Sequence, residues 1–174
     1  MHLIGRGATS EVFKVVNDKY PNKIFALKTI YFELIKIEND EEEDSDSSSN
    51  NVDDDEDNPK FKIDVSKLRR FFNEFDVLKQ IDHPNIIKTY GFFPGDKKYA
   101  PSILLEFCTT NLKKIIKKLS DDERIQIIIE ISCVMEKIHE LGIIYRDLKP
   151  ENILIDENMH EKVSDFGICT FIDE

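Results

Sequence analysis

Residues 143–156 read IIYRDLKPENILID, and three groups in the middle of that stretch could act together on one small anion. Asp147, Lys149 and Asn152 supply a carboxylate, an ammonium and an amide between two isoleucine-rich runs. A solvated turn needs neither this number of polar groups nor this order. The carboxylate can accept a hydrogen bond from a hydroxyl and aim it. The ammonium can neutralise a phosphoryl group, and the amide oxygen suits a hard cation. Thirteen residues after Asn152, SDFG brings a second carboxylate, Asp165. The oxygens of the two carboxylates and the amide suit a hard cation such as magnesium, which takes few protein ligands and completes its shell with phosphate and water.

Those residues converge only if the chain folds back between them. Residues 153–155 and 161–164 flank DENMH and predict a hairpin, which carries Asp165 back beside the loop of Asp147, Lys149 and Asn152. Pro150 disfavours helical geometry at Lys149, so that loop is expected to be extended. Upstream, a helix is predicted over 121–141, with Ser120 and Glu123 as a capping box and Gly142 as its stop. Its RIQIIIEISCVM segment is apolar on more than one face and predicts burial on several sides.

Leu112, Ile115, Ile116 and Leu119 suggest a short helix before it. Leu68, Phe71, Phe72, Phe75 and Leu78 recur at helical spacing and predict another, with Ser66 as its N-cap. Strands are expected over 11–16, 24–30, 86–93 and 102–107, with NDKYPNK as a turn between the first two.

The net charge of −11 in 174 residues is a local matter. Residues 38–57 hold 12 acidic groups and no basic one, and without them the chain stands at +1. That stretch has a single apolar residue, Val52, and predicts a disordered acidic low-complexity insertion over about residues 38–59. The near-neutral remainder gives no support to nucleic-acid binding. No run is long and apolar enough for a membrane span, so no membrane is expected. Cys108, Cys133 and Cys169 are scattered and odd in number, as in a reducing cytoplasmic or nuclear interior.

YRDLKPEN followed by DFG resembles the catalytic loop and metal-binding motif of eukaryotic protein kinases. IGRGATSEV, with Ile4, Gly5, Gly7 and Val12, is similar to the loop over the ATP phosphates, although Ser10 replaces its third glycine. FALK supplies Ala26 and Lys28, and Glu74 matches the helix glutamate that pairs with the lysine. HPNI and LLEF look like the turn after that helix and the approach to the hinge.

The resemblance implies an α+β, kinase-like fold. Residues 1–107 would form a β-rich lobe with one long helix, and residues 108–174 an incomplete, mainly helical lobe. It implies ATP and Mg2+ as cofactors and transfer of the γ-phosphate to serine or threonine hydroxyls of proteins. Asp147 would orient or deprotonate the hydroxyl, and Lys149 would steady the γ-phosphate. Asn152 and Asp165 would hold magnesium, while Lys28, set by Glu74, would hold the α- and β-phosphates. Adenine would lie between Val12 and Ala26 on one side and Leu154 on the other. Glu106 and Cys108 would meet its edge through backbone groups, and Leu105 would be the gatekeeper. Tyr145 stands where most of the family has histidine, and Arg146 would answer a phosphorylated activation loop.

No A-P-E segment follows DFG, so the chain is expected to be a kinase domain truncated after that motif. The same reading expects self-association or a partner over the uncovered helix, and little phosphate transfer by the isolated chain. The alternative implied by these residues is a nucleotide-binding, non-catalytic module acting through a partner.

Overall fold

The structure, a computed structural model, describes residues 1–7, 9–30, 65–96 and 98–172. Three antiparallel strands open the chain: β1 (His2–Arg6), β2 (Ser10–Asn17) and β3 (Tyr20–Ile30). The helix α1 (Val65–Leu78) precedes β4 (Thr89–Phe93) and β5 (Ser102–Glu106). The five strands form one sheet in the order β1-β2-β3-β5-β4. The apolar stripe of α1 turns Phe71, Val77 and Leu78 into the core. Aromatic stacking adds to this, with the rings of Phe75 and Phe92 4.7 Å apart.

Then come β6 (Thr110–Asn111), α2 (Leu112–Ile115), a 3-10 turn at Ile116–Lys118, and α3 (Asp121–Glu140). A two-residue β7 (Ile143–Ile144) and a 3-10 turn at Pro150–Asn152 lead into β8 (Ile153–Ile155). After it come β9 (Glu161–Val163) and β10 (Thr170–Phe171). Strands β6, β8 and β9 make a small sheet, and β10 pairs with β7. One hydrophobic core runs from Ala26 and Ile103 in the large sheet through Leu78 to Val134, Ile138 and Phe166. The chain divides into Met1–Tyr31 with Val65–Glu174 as one unit and Phe32–Asp64 as another. The acidic insertion predicted over 38–59 lies outside the described residues.

The capping box of α3 is present, with Ser120 Oγ accepting from the Glu123 N–H and the Glu123 side chain accepting from Ser120 N–H. Gly142 stops the helix at φ +68°, in the left-handed region where a Cβ is penalised. The β8–β9 hairpin forms as predicted, with Ile153 opposite Val163. Lys149 is extended, at φ −155° and ψ 156°.

Four expectations are corrected. Ser66 is the second residue of α1 rather than its N-cap. Strand β3 begins at Tyr20, inside the predicted turn, because Asn17 pairs with Tyr20 and Val16 with Ile24. That register shift leaves Pro21 in an irregular stretch, where a missing N–H is tolerated. Strand β4 begins at Thr89 rather than at residue 86. The preceding backbone is bound elsewhere, with Ile87 N–H donating to Val163 O at 2.9 Å and Val163 N–H to Asn85 O at 2.8 Å.

Helix α3 is not buried on several sides as expected: it buries Val134 and Ile138 while Ile125, Ile128 and Ile129 stay 56%, 62% and 52% exposed. Among the described residues only one face of that helix meets the core. No helix among them is long and apolar enough to cross a membrane.

Candidate functional site

Strand β3 and helix α1 present their polar groups to each other at the edge of the core. Lys28 Nζ donates to Glu74 Oε2 and stands 3.6 Å from Asp165 Oδ1. Glu74 is almost fully buried, whereas the Asp165 side chain is half exposed. Burial pulls the Lys28 ammonium down, but the charges of Glu74 and Asp165 outweigh it and leave its pKa raised. Lys28 therefore stays a cation. Burial pushes Glu74 up, and the Lys28 charge offsets only part of that push. Removing one member of such a buried pair costs roughly 3–5 kcal/mol, so the partners hold each other in place.

The loop after β7 gathers the second group. Lys149 Nζ lies 2.9 Å and 2.7 Å from the two carboxylate oxygens of Asp147. Asn152 Nδ2 donates to Asp147 O at 3.0 Å and to Asp147 Oδ2 at 2.9 Å. Partial burial works against the Asp147 carboxylate, yet the bonds from Lys149 and Asn152 outweigh it and hold its pKa below the usual range. Asn152 is buried, and its carbonyl accepts from both N–H and Oγ of Ser164 at 2.9 Å. Ser164 thus ties the Asn152 turn to the residue next to Asp165.

The backbone around Asp165 is strained and well held. Asp165 and Arg146 sit at φ 64° and 66°, which costs a non-glycine residue about 1–2 kcal/mol. Phe166 is fully buried, with its ring 5.0 Å from that of Tyr145. The Tyr145 hydroxyl donates to Ser164 O, and burial raises its pKa. Arg146 donates Nε and Nη2 to Ile168 O. With Arg69 and Arg70 it lines a cavity of about 500 Å³. A Cβ on Gly167 would lie 3.2 Å from Arg70 O, so α1 packs directly on that backbone.

The amino-terminal loop shows why glycine serves at positions 5 and 7. A Cβ at Gly5 would meet nothing nearer than Val12 Cβ at 4.0 Å, and one at Gly7 nothing nearer than Ser10 O at 3.6 Å. Packing within the protein does not require either glycine, while the Gly7 N–H is itself taken, donating to Ser10 O at 2.8 Å. Neighbouring strands then place the apolar candidates: Val12 opposite Lys28, and Ala26 opposite Leu105. Ala26 and Leu105 are buried, while Val12, Cys108 and Leu154 are partly buried against the same core.

Glu106 N–H donates to Lys88 O at 2.9 Å, so that N–H does not serve an adenine edge. Burial, with Glu106 and Asp156 nearby, pushes the Cys108 thiol up to about 12, and burial brings Cys169 to a similar value. Ile4 is exposed at the middle of β1.

The groups present fit a magnesium nucleotide. A permanent cation faces two carboxylates, and Asp165 and Asn152 offer oxygens while Lys149 offers a second cation. Among the described residues no cluster of three or more His, Cys, Asp or Glu could hold a metal.

Two contributors were not among the site residues expected from the sequence, although Ser164 opens the SDFG motif. Ser164 links the two groups, and Asn73 donates to Phe166 O, Gly167 O and Cys169 O at 3.3, 3.2 and 3.1 Å. The only hint of Asn73 was a weak helix former inside a strongly periodic helix, next to Glu74.

A family model described as protein kinase domain matches residues 1–174. Ribosomal protein S6 kinase alpha-2 of Homo sapiens is 40% identical over 101 residues, covering 55% of this chain and 13% of that protein. Serine/threonine-protein kinase RHS3 of Arabidopsis thaliana is 37% identical over 112 residues, covering 61% and 22% respectively. Putative ribosomal protein S6 kinase alpha-1 of Caenorhabditis elegans is 30% identical over 176 residues, covering 97% of this chain and 18% of that protein. The chain spans less than a quarter of the length of these relatives.

Proposed function

Because the chain belongs to the protein kinase domain family, we propose that it binds ATP with magnesium and phosphorylates serine or threonine hydroxyls of proteins. The observation that carries this reading is the placement of Lys28 between buried Glu74 and half-exposed Asp165, with Asp147, Lys149 and Asn152 joined to Asp165 through Ser164. Bound magnesium nucleotide supplies the phosphoryl group and a cation that screens its charge.

In this reading residues 1–107 form the lobe that covers the nucleotide, and residues 108–174 form the lobe beneath it. Ile4, Val12, Ala26 and Leu154 enclose the base, with Leu105 behind it. The Cys108 backbone and the Glu106 carbonyl meet its edge. Gly5 and Gly7 keep side chains off this turn, so that phosphate oxygens can come close to its backbone. Lys28 holds two phosphates without losing its orientation, since Glu74 fixes it. Asn152 uses its amide nitrogen on Asp147, which leaves the amide oxygen, with Asp165, for the cation.

Asp147 orients the acceptor hydroxyl through one carboxylate oxygen and takes its proton late, as a weak base must. Lys149 moves between Asp147 and the transferring group. Arg146, with Arg69 and Arg70, answers a phosphate. Unpaired cysteines among the described residues, together with a nucleotide substrate, favour a cytoplasmic or nuclear setting.

The test is calorimetric titration of the whole chain with ADP, with and without magnesium. Magnesium should tighten binding, and Asp165→Asn should abolish that gain while keeping the metal-free affinity. An unchanged magnesium gain in Asp165→Asn would refute the metal assignment.

A further inference from the structure

Among the described residues, the four consecutive carbonyls after Asp165 accept side-chain hydrogen bonds from Asn73 and Arg146, and Phe166 O also accepts from the Cys169 N–H at 3.2 Å. Ile168 O is held by Arg146, and Phe166 O, Gly167 O and Cys169 O all lie within 3.3 Å of Asn73 Nδ2. Asn73 sits on α1 directly before Glu74, the residue that fixes Lys28. One helix thus grips Lys28 with one side chain and the Asp165 segment with the next. The fit is close, because the Arg70 carbonyl would lie 3.2 Å from any Cβ at position 167. Asp165 itself holds a positive φ, a region that aspartate enters more readily than most L-residues but still at a cost.

We propose that Asn73 is a positioning residue, a latch that makes the seating of α1 and the placement of the Asp165 carboxylate one event. The proposal rests on the reading of Asp165 as a magnesium ligand. With the latch made, the Asp165 carboxylate and the Lys28–Glu74 pair are in place together. With it broken, α1 can keep Lys28 paired while the segment 165–169 loses its alignment. The donor character of the amide carries the effect, since all three of its partners are carbonyl acceptors.

The discriminating variant is Asn73→Asp, which keeps the size and replaces the donor by an acceptor. Asn73→Leu serves the same comparison without charge if the aspartate variant does not fold, and Asn73→Gln restores an amide donor on a longer stem. Two quantities are read on the whole chain: ADP affinity with and without magnesium, and amide hydrogen exchange across 165–169 against β2 and β3. Metal-free affinity should stay within about twofold. The magnesium gain should fall about tenfold, and exchange over 165–169 should quicken by about the same factor, with β2 and β3 unchanged. Asn73→Gln should recover part of both.

Wild-type exchange and an intact magnesium gain in Asn73→Asp would overturn the latch. Equal loss of metal-free and magnesium-dependent affinity would overturn it too, because that pattern marks general destabilisation. If wild type shows no magnesium gain, the functional reading fails, and the exchange comparison alone decides the latch.

Discussion

Asp147 carries its charge between an ammonium and an amide, and that sets its chemistry. Bonds from Lys149 and Asn152 overcome the effect of partial burial, so the carboxylate stays ionised well below neutral pH. Replacing Lys149 by methionine removes the closer of the two opposing influences. In Lys149→Met the Asp147 titration midpoint should move upward, towards or past the ordinary aspartate value of about 3.9. Carbon-detected NMR of the carboxylate would show it, and an unmoved midpoint would mean that Asn152 alone sets the charge. The residues of this group were legible in the sequence because their types and order sit within nine residues of one another. Asn73 was not, since its partners lie 93 to 96 residues away and no local pattern announces them.

The β8–β9 hairpin is the element that brings Asp165 back to the loop, and Asp156 organises its turn. The Asp156 carboxylate accepts from Asn158 N–H at 2.8 Å and from His160 N–H at 2.9 Å. Burial pushes its pKa up, but these bonds win and leave it lowered. A carboxyl lowered on folding adds stability above its unfolded value of about 3.9, and that stability is lost as pH falls through the folded value. Asp156→Ala should therefore cost about 1–3 kcal/mol in urea unfolding at pH 7 and much less near pH 2. An equal cost at both values would assign the loss to packing.

This hairpin and α3 were readable because their signals are local: two β-rich runs about one turn, a capping box, and a glycine at the stop. The stretch 86–88 was misread for the opposite reason. Its apolar residues look like strand, but Asn85 O and the Ile87 N–H are matched by Val163, and the Ile86 N–H by His83 O. Which partner takes a backbone group is a tertiary fact. At Tyr20 the irregular pairing with Asn17 was equally invisible, and Pro21 and Asn22 read as turn.

Across the whole molecule, one core joins the large sheet to α3, and the stability of the fold depends on which isoleucines enter it. Val134 and Ile138 are fully buried, so Ile138→Ala should cost about 2–5 kcal/mol. Ile128, at 62% exposure, should cost under about 0.5 kcal/mol when changed to serine. Chemical denaturation of the two variants, at a concentration where the chain is monomeric, separates these outcomes, and a large loss in Ile128→Ser there would show that this side chain is packed within the chain. Self-association, expected from the helix sequence, should weaken when Ile125, Ile128 and Ile129 are all made serine. Sedimentation of the triple variant reads that directly. The helix pattern revealed how apolar α3 is, but not which face is used, because that depends on what packs against it.

Phosphoryl transfer by these groups to a protein hydroxyl is read by incubating the purified chain with γ-labelled ATP, magnesium and a generic serine/threonine protein substrate, beside Asp147→Asn. A slow transfer to serine or threonine, reduced at least about a hundredfold in Asp147→Asn, is the predicted result. Magnesium-dependent ATP binding without any Asp147-dependent transfer would contradict it.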